Sequence, residues 1–150
     1  MKKWGSVITA ALLTLSLVVA GCANQGQSSG ASGDEIAVGV LLPVTGNNAT
    51  DGKDMQNAIE MAVKKVNDGG GVLGKKLKIE VADDGCDPQM ATTAANKLVS
   101  QNVVAVVGGY CSGATLPSSG VFKNANIPMI VPAANSAKLP AQGLRHPVFD

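Results

Sequence analysis

The segment from Val103 to Thr115 combines residue types that can bind an anion. Residues 103–107 are apolar and mostly β-branched, which predicts a strand covered by helices on both faces of a parallel sheet. Gly108 and Gly109 follow and allow the backbone to approach a guest closely. Ser112 stands at the predicted N-cap of the next helix, where its hydroxyl and the first-turn N–H groups can receive a carboxylate or a phosphate.

A later loop offers groups that suit a ligand ammonium. Ala133 provides a backbone carbonyl, and Asn135 provides a side-chain amide. Asn135 is almost equally consistent with a helix cap or a turn residue. Together with the donors at Ser112, these groups predict binding of a small molecule that carries both an anionic and a cationic group.

Groups for catalysis are few. The single histidine, His146, follows the recognisable elements, where a solvated surface residue is the usual outcome. Ser112 and Gly113 do not form a G-x-S-x-G elbow. Gly69-Gly70-Gly71 is better interpreted as a helix stop than as a phosphate-binding loop, because it precedes a predicted strand and opens no helix. Asp83 and Asp84 could bind a metal, although two acidic residues after a strand more often form a solvated loop. We therefore predict a binding protein and not an enzyme, with no cofactor and no metal.

Two cysteines, Cys86 and Cys111, remain once Cys22 is set aside. An even pair in an exported protein favours a disulfide. Two free buried thiols or half of a metal site are the alternatives, but no histidine lies near either cysteine to complete a zinc site. Both cysteines follow neighbouring strands by a few residues, so a disulfide would rigidify the loop that carries Ser112.

Apolar periodicity predicts an α/β fold in which strands and helices alternate. The predicted strands are 36–42, 77–82, 103–107 and 127–131. The first predicted helix has its apolar residues from Met55 to Val66 and ends at 68–71. The second begins at Asp87-Pro88 and runs to about Ser100, and the third covers 115–125. Strands separated by helices imply right-handed βαβ units and a parallel sheet, with the ligand loops at one edge.

The N-terminus has the pattern of an export signal. Lys2 and Lys3 precede an apolar run that is too short to span a membrane comfortably, so residues 1–21 are predicted to be a signal peptide. Val19-Ala20-Gly21-Cys22 resembles the bacterial lipobox, which predicts lipidation of Cys22; an ordinary signal peptide with a stray cysteine is the alternative. Residues 22–33 form a Gly/Ser-rich tether, and folding is expected to begin near Asp34.

The charge balance argues against nucleic acid as a partner. Without Lys2 and Lys3, ten of the 12 basic residues remain against 11 acidic ones. No basic stripe and no aromatic stacking platform is present, and the one tryptophan lies in the signal peptide.

Five stretches resemble the leucine/isoleucine/valine-binding proteins of bacterial ABC importers. They are 43–46, 69–77, 83–88, 108–115 and 127–134, and the resemblance covers about Ile36 to Leu139. It implies lobe one of a two-lobed type I periplasmic-binding fold, which closes on an amino acid by hinge motion. It also implies that residues 34–150 are the N-terminal part of the ligand-binding domain, without its second lobe.

The resemblance further implies roles for individual residues. Tyr110, Cys111 and Ser112 would line the ligand site, with Ser112 holding the α-carboxylate. Ala133 would offer its carbonyl to the α-ammonium. Cys86 and Cys111 match the disulfide of the family's first lobe.

Two positions depart from the family pattern. Asn135 stands where members that bind branched-chain amino acids usually have threonine. Asp51 falls where an aromatic residue often closes over the ligand. Asp51 is either the N-cap of the first helix or a carboxylate near the ligand, which would favour a polar or cationic side chain.

The predicted function is a monomeric, lipid-anchored receptor that faces the periplasm or the cell exterior. It would deliver an amino acid, branched-chain or related, to the permease and ATPase subunits of an ABC importer. One alternative is a ligand sensor with the same fold that signals to a partner. Another is an exported α/β hydrolase, which would need a nucleophile, a base and an acid.

Overall fold

The computed structural model describes residues 35–141, which form a parallel sheet flanked by helices. The elements are β1 (Glu35–Leu42), α1 (Ala49–Asp68), β2 (Lys76–Asp83), α2 (Pro88–Ser100), β3 (Ala105–Gly108), α3 (Ser112–Asn124), β4 (Met129–Ile130) and α4 (Lys138–Ala141). The predictions for the signal peptide 1–21, Cys22, the tether and His146 lie outside the described residues. Within 35–141, no helix is both long and apolar enough to cross a membrane.

The strands are all parallel and stand in the order β2-β1-β3-β4. From β1 the chain first adds β2 on one side of β1 in the sheet. It then adds β3 on the other side of β1, and β4 beyond β3. Right-handed crossovers therefore place α1 on one face of the sheet and α2 with α3 on the other, where these two helices pack together. The reversal leaves a crevice between the carboxyl ends of β1 and β3. Open α/β sheets bind their ligands at such a point.

The core lies between the sheet and the α2–α3 face. Leu41 and Val106 from the strands pack with Leu98 of α2 and Phe122 of α3, and all four are fully buried. Each of these side chains contributes on the order of 1.5–3 kcal/mol when it leaves water. This packing holds the carboxyl ends of β1 and β3 in place, and with them the loops of the candidate site.

The expectation that 103–107 is covered on both faces is wrong for the described residues. The ladder begins at Ala105, and Val104 is 55% exposed. Strand β4 is limited to two residues, and Ile130 in it is 53% exposed. The reason is the helix arrangement, because α1 packs on β1 and β2 and leaves that face of β3 and β4 open. β-branched residues indicate strand preference, but they do not indicate which face is covered.

The boundaries of α2 and the end of α1 follow the local signals closely, whereas α3 begins at Ser112, three residues before the predicted start of 115–125. Asp87 caps α2 as predicted, since its carboxylate accepts hydrogen bonds from the N–H groups of Gln89 at 2.9 Å and Met90 at 2.8 Å. Pro88 occupies the first helical position. Helix α1 ends at Gly69, the first of the three glycines predicted to stop it.

Candidate functional site

The N-terminus of α3 supplies free hydrogen-bond donors. The helix begins at Ser112, and Cys111 is its N-cap, with φ −86° and ψ 120°. The prediction of Ser112 as N-cap is therefore wrong by one residue, because disulfide-bonded Cys111 holds the extended backbone that a cap requires. The carbonyl of Cys111 accepts from the N–H groups of Ala114 at 3.1 Å and Thr115 at 3.0 Å. The N–H groups of Ser112 and Gly113 have no partner among the described residues, so they remain available at the positive end of the helix dipole.

The Cys86–Cys111 disulfide is present, with Cα atoms 5.3 Å apart. Strands β2 and β3 are consecutive in the chain, but β1 lies between them in the sheet. The bond therefore passes over the carboxyl end of β1, and it does not link adjacent strands as the sequence suggested. It fastens the N-cap of α3 to the β2–α2 loop.

Gly108 and Gly109 serve the protein's own packing. A Cβ at Gly108 would lie 2.1 Å from the carbonyl oxygen of Leu41, and one at Gly109 would lie 2.7 Å from Oγ1 of Thr115. Gly109 also has φ +96°, a conformation that side chains rarely adopt. The expectation that these glycines let the backbone approach a guest stays a prediction. They let β1 and α3 approach the β3–α3 loop.

The loop after β4 is attached to the same edge. Ala134 is buried, and its N–H donates to the carbonyl of Gly109 at 2.9 Å. This bond brings exposed Ala133 and Asn135 beside the β3–α3 loop. Ser136 forms the turn that leads into α4, through its hydroxyl and its carbonyl, so Asn135 is not needed as a cap. Within 35–141, the side chain of Asn135 has no hydrogen-bond partner.

Asp51 and Tyr110 meet across the crevice between β1 and β3. The Tyr110 hydroxyl donates to Oδ2 of Asp51 at 2.7 Å. This hydrogen bond and the negative charge of Asp51 raise the pKa of Tyr110, because both hold the phenol proton. Asn48 is the N-cap of α1, so Asp51 lies in the first turn and the N-cap interpretation of Asp51 is wrong. Sequence reasoning named both residues but not their contact, which depends on β1 and β3 being neighbours.

Asp83 fastens the β1–α1 loop to the end of β2, a role that the sequence did not indicate. Its Oδ1 accepts from the N–H groups of Val44 at 2.9 Å and Gly85 at 3.0 Å, and its Oδ2 accepts from the hydroxyl of Thr45. These donors occupy both carboxylate oxygens. No group of three potential metal ligands is found in the described part of the chain. The aspartate therefore acts as a loop clamp.

The two neighbouring aspartates have opposite pKa shifts. Burial works to raise the pKa of Asp83, but hydrogen bonds from Thr45, Gly85 and Val44 outweigh it, and the net pKa lies below the ordinary value. Asp84 is fully buried. Burial raises the pKa of Asp84, and the hydrogen bond from the N–H of Cys86 offsets this only in part. Oδ2 of Asp84 has no partner among the residues that the structure describes.

These shifts predict opposite effects on acid stability. Asp83 binds fewer protons when folded, so its contribution to stability is present above its unfolded pKa of about 3.9 and is lost as pH falls through its lowered folded pKa. Asp83→Asn should therefore lower the free energy of unfolding at pH 7 more than at pH 3, and Thr45→Val should have a smaller effect of the same sign.

Asp84→Asn is the matched control for this pH dependence. The raised pKa of Asp84 means that the folded state binds more protons, so stability is lost as pH rises through the window above the unfolded pKa. The Asp84→Asn variant should lose less stability than the unsubstituted protein between pH 3 and pH 7. Urea unfolding across this range checks both signs, and parallel curves for the two variants would contradict them.

A separate hollow of about 620 Å³ lies between β2 and α2. Its wall includes Asp83, Asp87, Met90 and Lys97, and it includes none of the predicted ligand residues. Asp83 and Asp87 already accept hydrogen bonds from loop and helix N–H groups. We therefore place the candidate site at the crevice beside α3, where the donors are free.

Comparison with known proteins agrees with this fold. Residues 35–149 match the family model described as periplasmic binding protein. The Leu/Ile/Val-binding protein homolog 1 of Brucella abortus is 39% identical over 115 residues, which are 77% of this chain and 31% of that protein. The chain belongs to the periplasmic binding protein family. It spans about a third of the length of the curated relatives it matches.

Two solved structures are similar to the described fold. The substrate-binding protein of a branched-chain amino acid transporter from Streptococcus pneumoniae, in complex with isoleucine, has a TM-score of 0.68 at 30% identity and covers 71% of this chain and 31% of its own. A solute-binding protein from Rhodopseudomonas palustris, in complex with 3,4-dihydroxybenzoic acid, has a TM-score of 0.66 at 31% identity, with 73% and 30% covered. The prediction of a parallel sheet of the type I periplasmic-binding fold is confirmed.

Proposed function

We propose that this chain forms the first-lobe part of an extracytoplasmic receptor of an ABC importer, which binds an amino acid by its α-carboxylate and α-ammonium. The observation that carries the proposal is the N-terminus of α3. Its free N–H groups at Ser112 and Gly113 open onto the crevice where the direction of the chain reverses in the sheet.

The ligands of the similar structures support a carboxylate subsite at this helix. Isoleucine and 3,4-dihydroxybenzoic acid differ in size, in shape and in the presence of an ammonium group, but both carry a carboxylate. A site in the region that this chain shares with both proteins can bind the carboxylate that the two ligands have in common. Ser112, with its hydroxyl and its N–H, is the residue best placed to bind it.

The remaining lining residues complete an amino acid site. Ala133 would accept a hydrogen bond from the α-ammonium through its carbonyl, and Asn135 would add its side-chain amide. Tyr110, Cys111 and Asp51 would form the wall beside Ser112. The proposal is for binding, since these residues accept and donate hydrogen bonds that suit the charged groups of an amino acid.

The proposed receptor is exported and anchored. Residues 1–21 would be removed as a signal peptide, Cys22 would carry the lipid, and residues 22–33 would tether the domain that begins at 34. A second lobe would close over the ligand, and the monomeric receptor would then deliver it to permease and ATPase subunits.

Calorimetric titration of the full-length protein with the common amino acids tests the proposal. Ser112→Ala should weaken binding of the best ligand by about tenfold to a hundredfold, since a hydrogen bond to a charged group contributes roughly 1.5–3 kcal/mol. Amidation of the ligand carboxylate should weaken binding by at least as much. Ser100→Ala on α2 is the control and should leave affinity unchanged. Equal affinity for the amidated ligand, or no binding at all, would contradict the proposal.

A further inference from the structure

Asp51 presents an uncompensated negative charge at the mouth of the crevice. The residue is exposed, and among the described residues its side chain makes one hydrogen bond, to Tyr110, and no salt bridge. The bond uses Oδ2 and leaves Oδ1 available. A carboxylate oxygen in this state can accept from a cation or from another donor.

The carboxylate is also held in a defined place. The backbone of α1 packs directly on the β1–α1 loop at Gly52, where a Cβ would lie 1.9 Å from the carbonyl oxygen of Pro43. Tyr110 is fixed from both sides, by the close packing of Gly109 and by the disulfide at Cys111. The main chain that carries Asp51 and Tyr110 is therefore constrained, which reduces the entropy lost when these residues bind a ligand.

Stability alone does not account for this arrangement. A hydrogen bond between exposed side chains contributes little to folding, because water replaces it readily. The pair instead spans the point where ligands enter open α/β sheets. Tyr110 lies two residues before Ser112, at most about 7 Å along the backbone, so a molecule held at Ser112 can reach the pair.

We propose that Asp51, positioned by Tyr110, selects amino acids whose side chain ends in a positive charge or a hydrogen-bond donor over amino acids with aliphatic side chains. This inference rests on the proposed amino acid site at Ser112. Asp51 would be the residue that contacts the ligand side chain, and Tyr110 would act by holding one carboxylate oxygen so that the other faces the ligand.

Lysine and norleucine form the matched ligand pair for the test, because they share the same linear side chain and differ in the terminal ammonium. Calorimetric titration of the full-length protein should show lysine binding at least about tenfold more tightly than norleucine. Asp51→Asn should lower this ratio about tenfold, because lysine affinity should fall by much more than norleucine affinity changes. Tyr110→Phe should lower the ratio less, because the carboxylate remains but is no longer held.

Asp54→Asn is the control, since it makes the same charge change on an exposed residue of the same helix. It should leave the lysine-to-norleucine ratio unchanged. The inference would be overturned if norleucine bound as tightly as lysine, or if Asp51→Asn weakened binding of both ligands equally. In either case the proposed function would stand as long as binding still depended on the ligand carboxylate. Failure of lysine and norleucine to bind, with binding of another common amino acid, would overturn the inference alone. Failure of every common amino acid to bind would overturn the proposed amino acid site as well.

Discussion

Replacement of both Cys86 and Cys111 by serine should lower the free energy of unfolding by about 3.5 kcal/mol. The bond closes a loop with a sequence separation of 25 residues, and the chain-entropy relation gives roughly this value for a loop of that size. Ligand affinity should fall as well, because Cys111 is the N-cap that sets the position of the free N–H groups of α3.

Urea unfolding and ligand titration check this prediction in a Cys22→Ser background, which leaves no other cysteine in residues 1–150. Reduction of the protein that retains Cys86 and Cys111 should reproduce the loss of stability in the double serine variant. This comparison separates the loss of the cross-link from the effect of the serine side chains. An oxidised and a reduced protein of equal stability would show that the loops are held by other contacts.

Gly52→Ala should destabilise the fold by about 1–3 kcal/mol, the usual cost of overpacking a close contact. The methyl group would lie 1.9 Å from the carbonyl oxygen of Pro43, so α1 or the β1–α1 loop must move. Backbone on both sides of this contact cannot relax by a change of rotamer. Movement of α1 would also displace Asp51 from Tyr110.

Gly120→Ala is the matched control for this substitution. Gly120 lies in α3, and among the described residues a Cβ there would meet nothing within 4 Å outside its chain neighbours and its own helix backbone. Alanine should therefore stabilise α3 by roughly 0.5–1 kcal/mol through its helix propensity. Urea midpoints that move in opposite directions would confirm that the effect at Gly52 comes from its contact with Pro43. A stabilising effect of both substitutions would show that α1 does not depend on this close approach.

Much of the fold follows from signals within short stretches of sequence. The hydrophobic periodicity identified β1, β2 and α2 to within a residue or two, because strand and helix patterns are carried by neighbouring residues. The Asp87-Pro88 start of α2 is equally local, since the aspartate caps N–H groups two and three residues ahead. The disulfide partners followed from the even number of cysteines in a chain with a predicted export signal.

Tertiary structure decided the order of the strands and therefore the site. The same alternation of strands and helices is compatible with several sheet orders, and β1 is brought between β2 and β3 only by packing. The Asp51–Tyr110 contact and the Asp83 clamp join residues 59 and 39 positions apart, beyond the range of any local pattern. The true N-cap of α3 was also missed, because the disulfide selects the backbone conformation of Cys111.

The sequence by itself determined the α/β class, the export pattern and the residue types that gather at the ligand edge. These depend on composition and on periodicity, which act over a few residues. The tertiary structure decided which loops face one another and which oxygens remain free. It also decided at which glycines neighbouring backbone occupies the place that a Cβ would take. Such features depend on contacts between elements far apart in the chain, where packing selects one arrangement among those that the local signals allow.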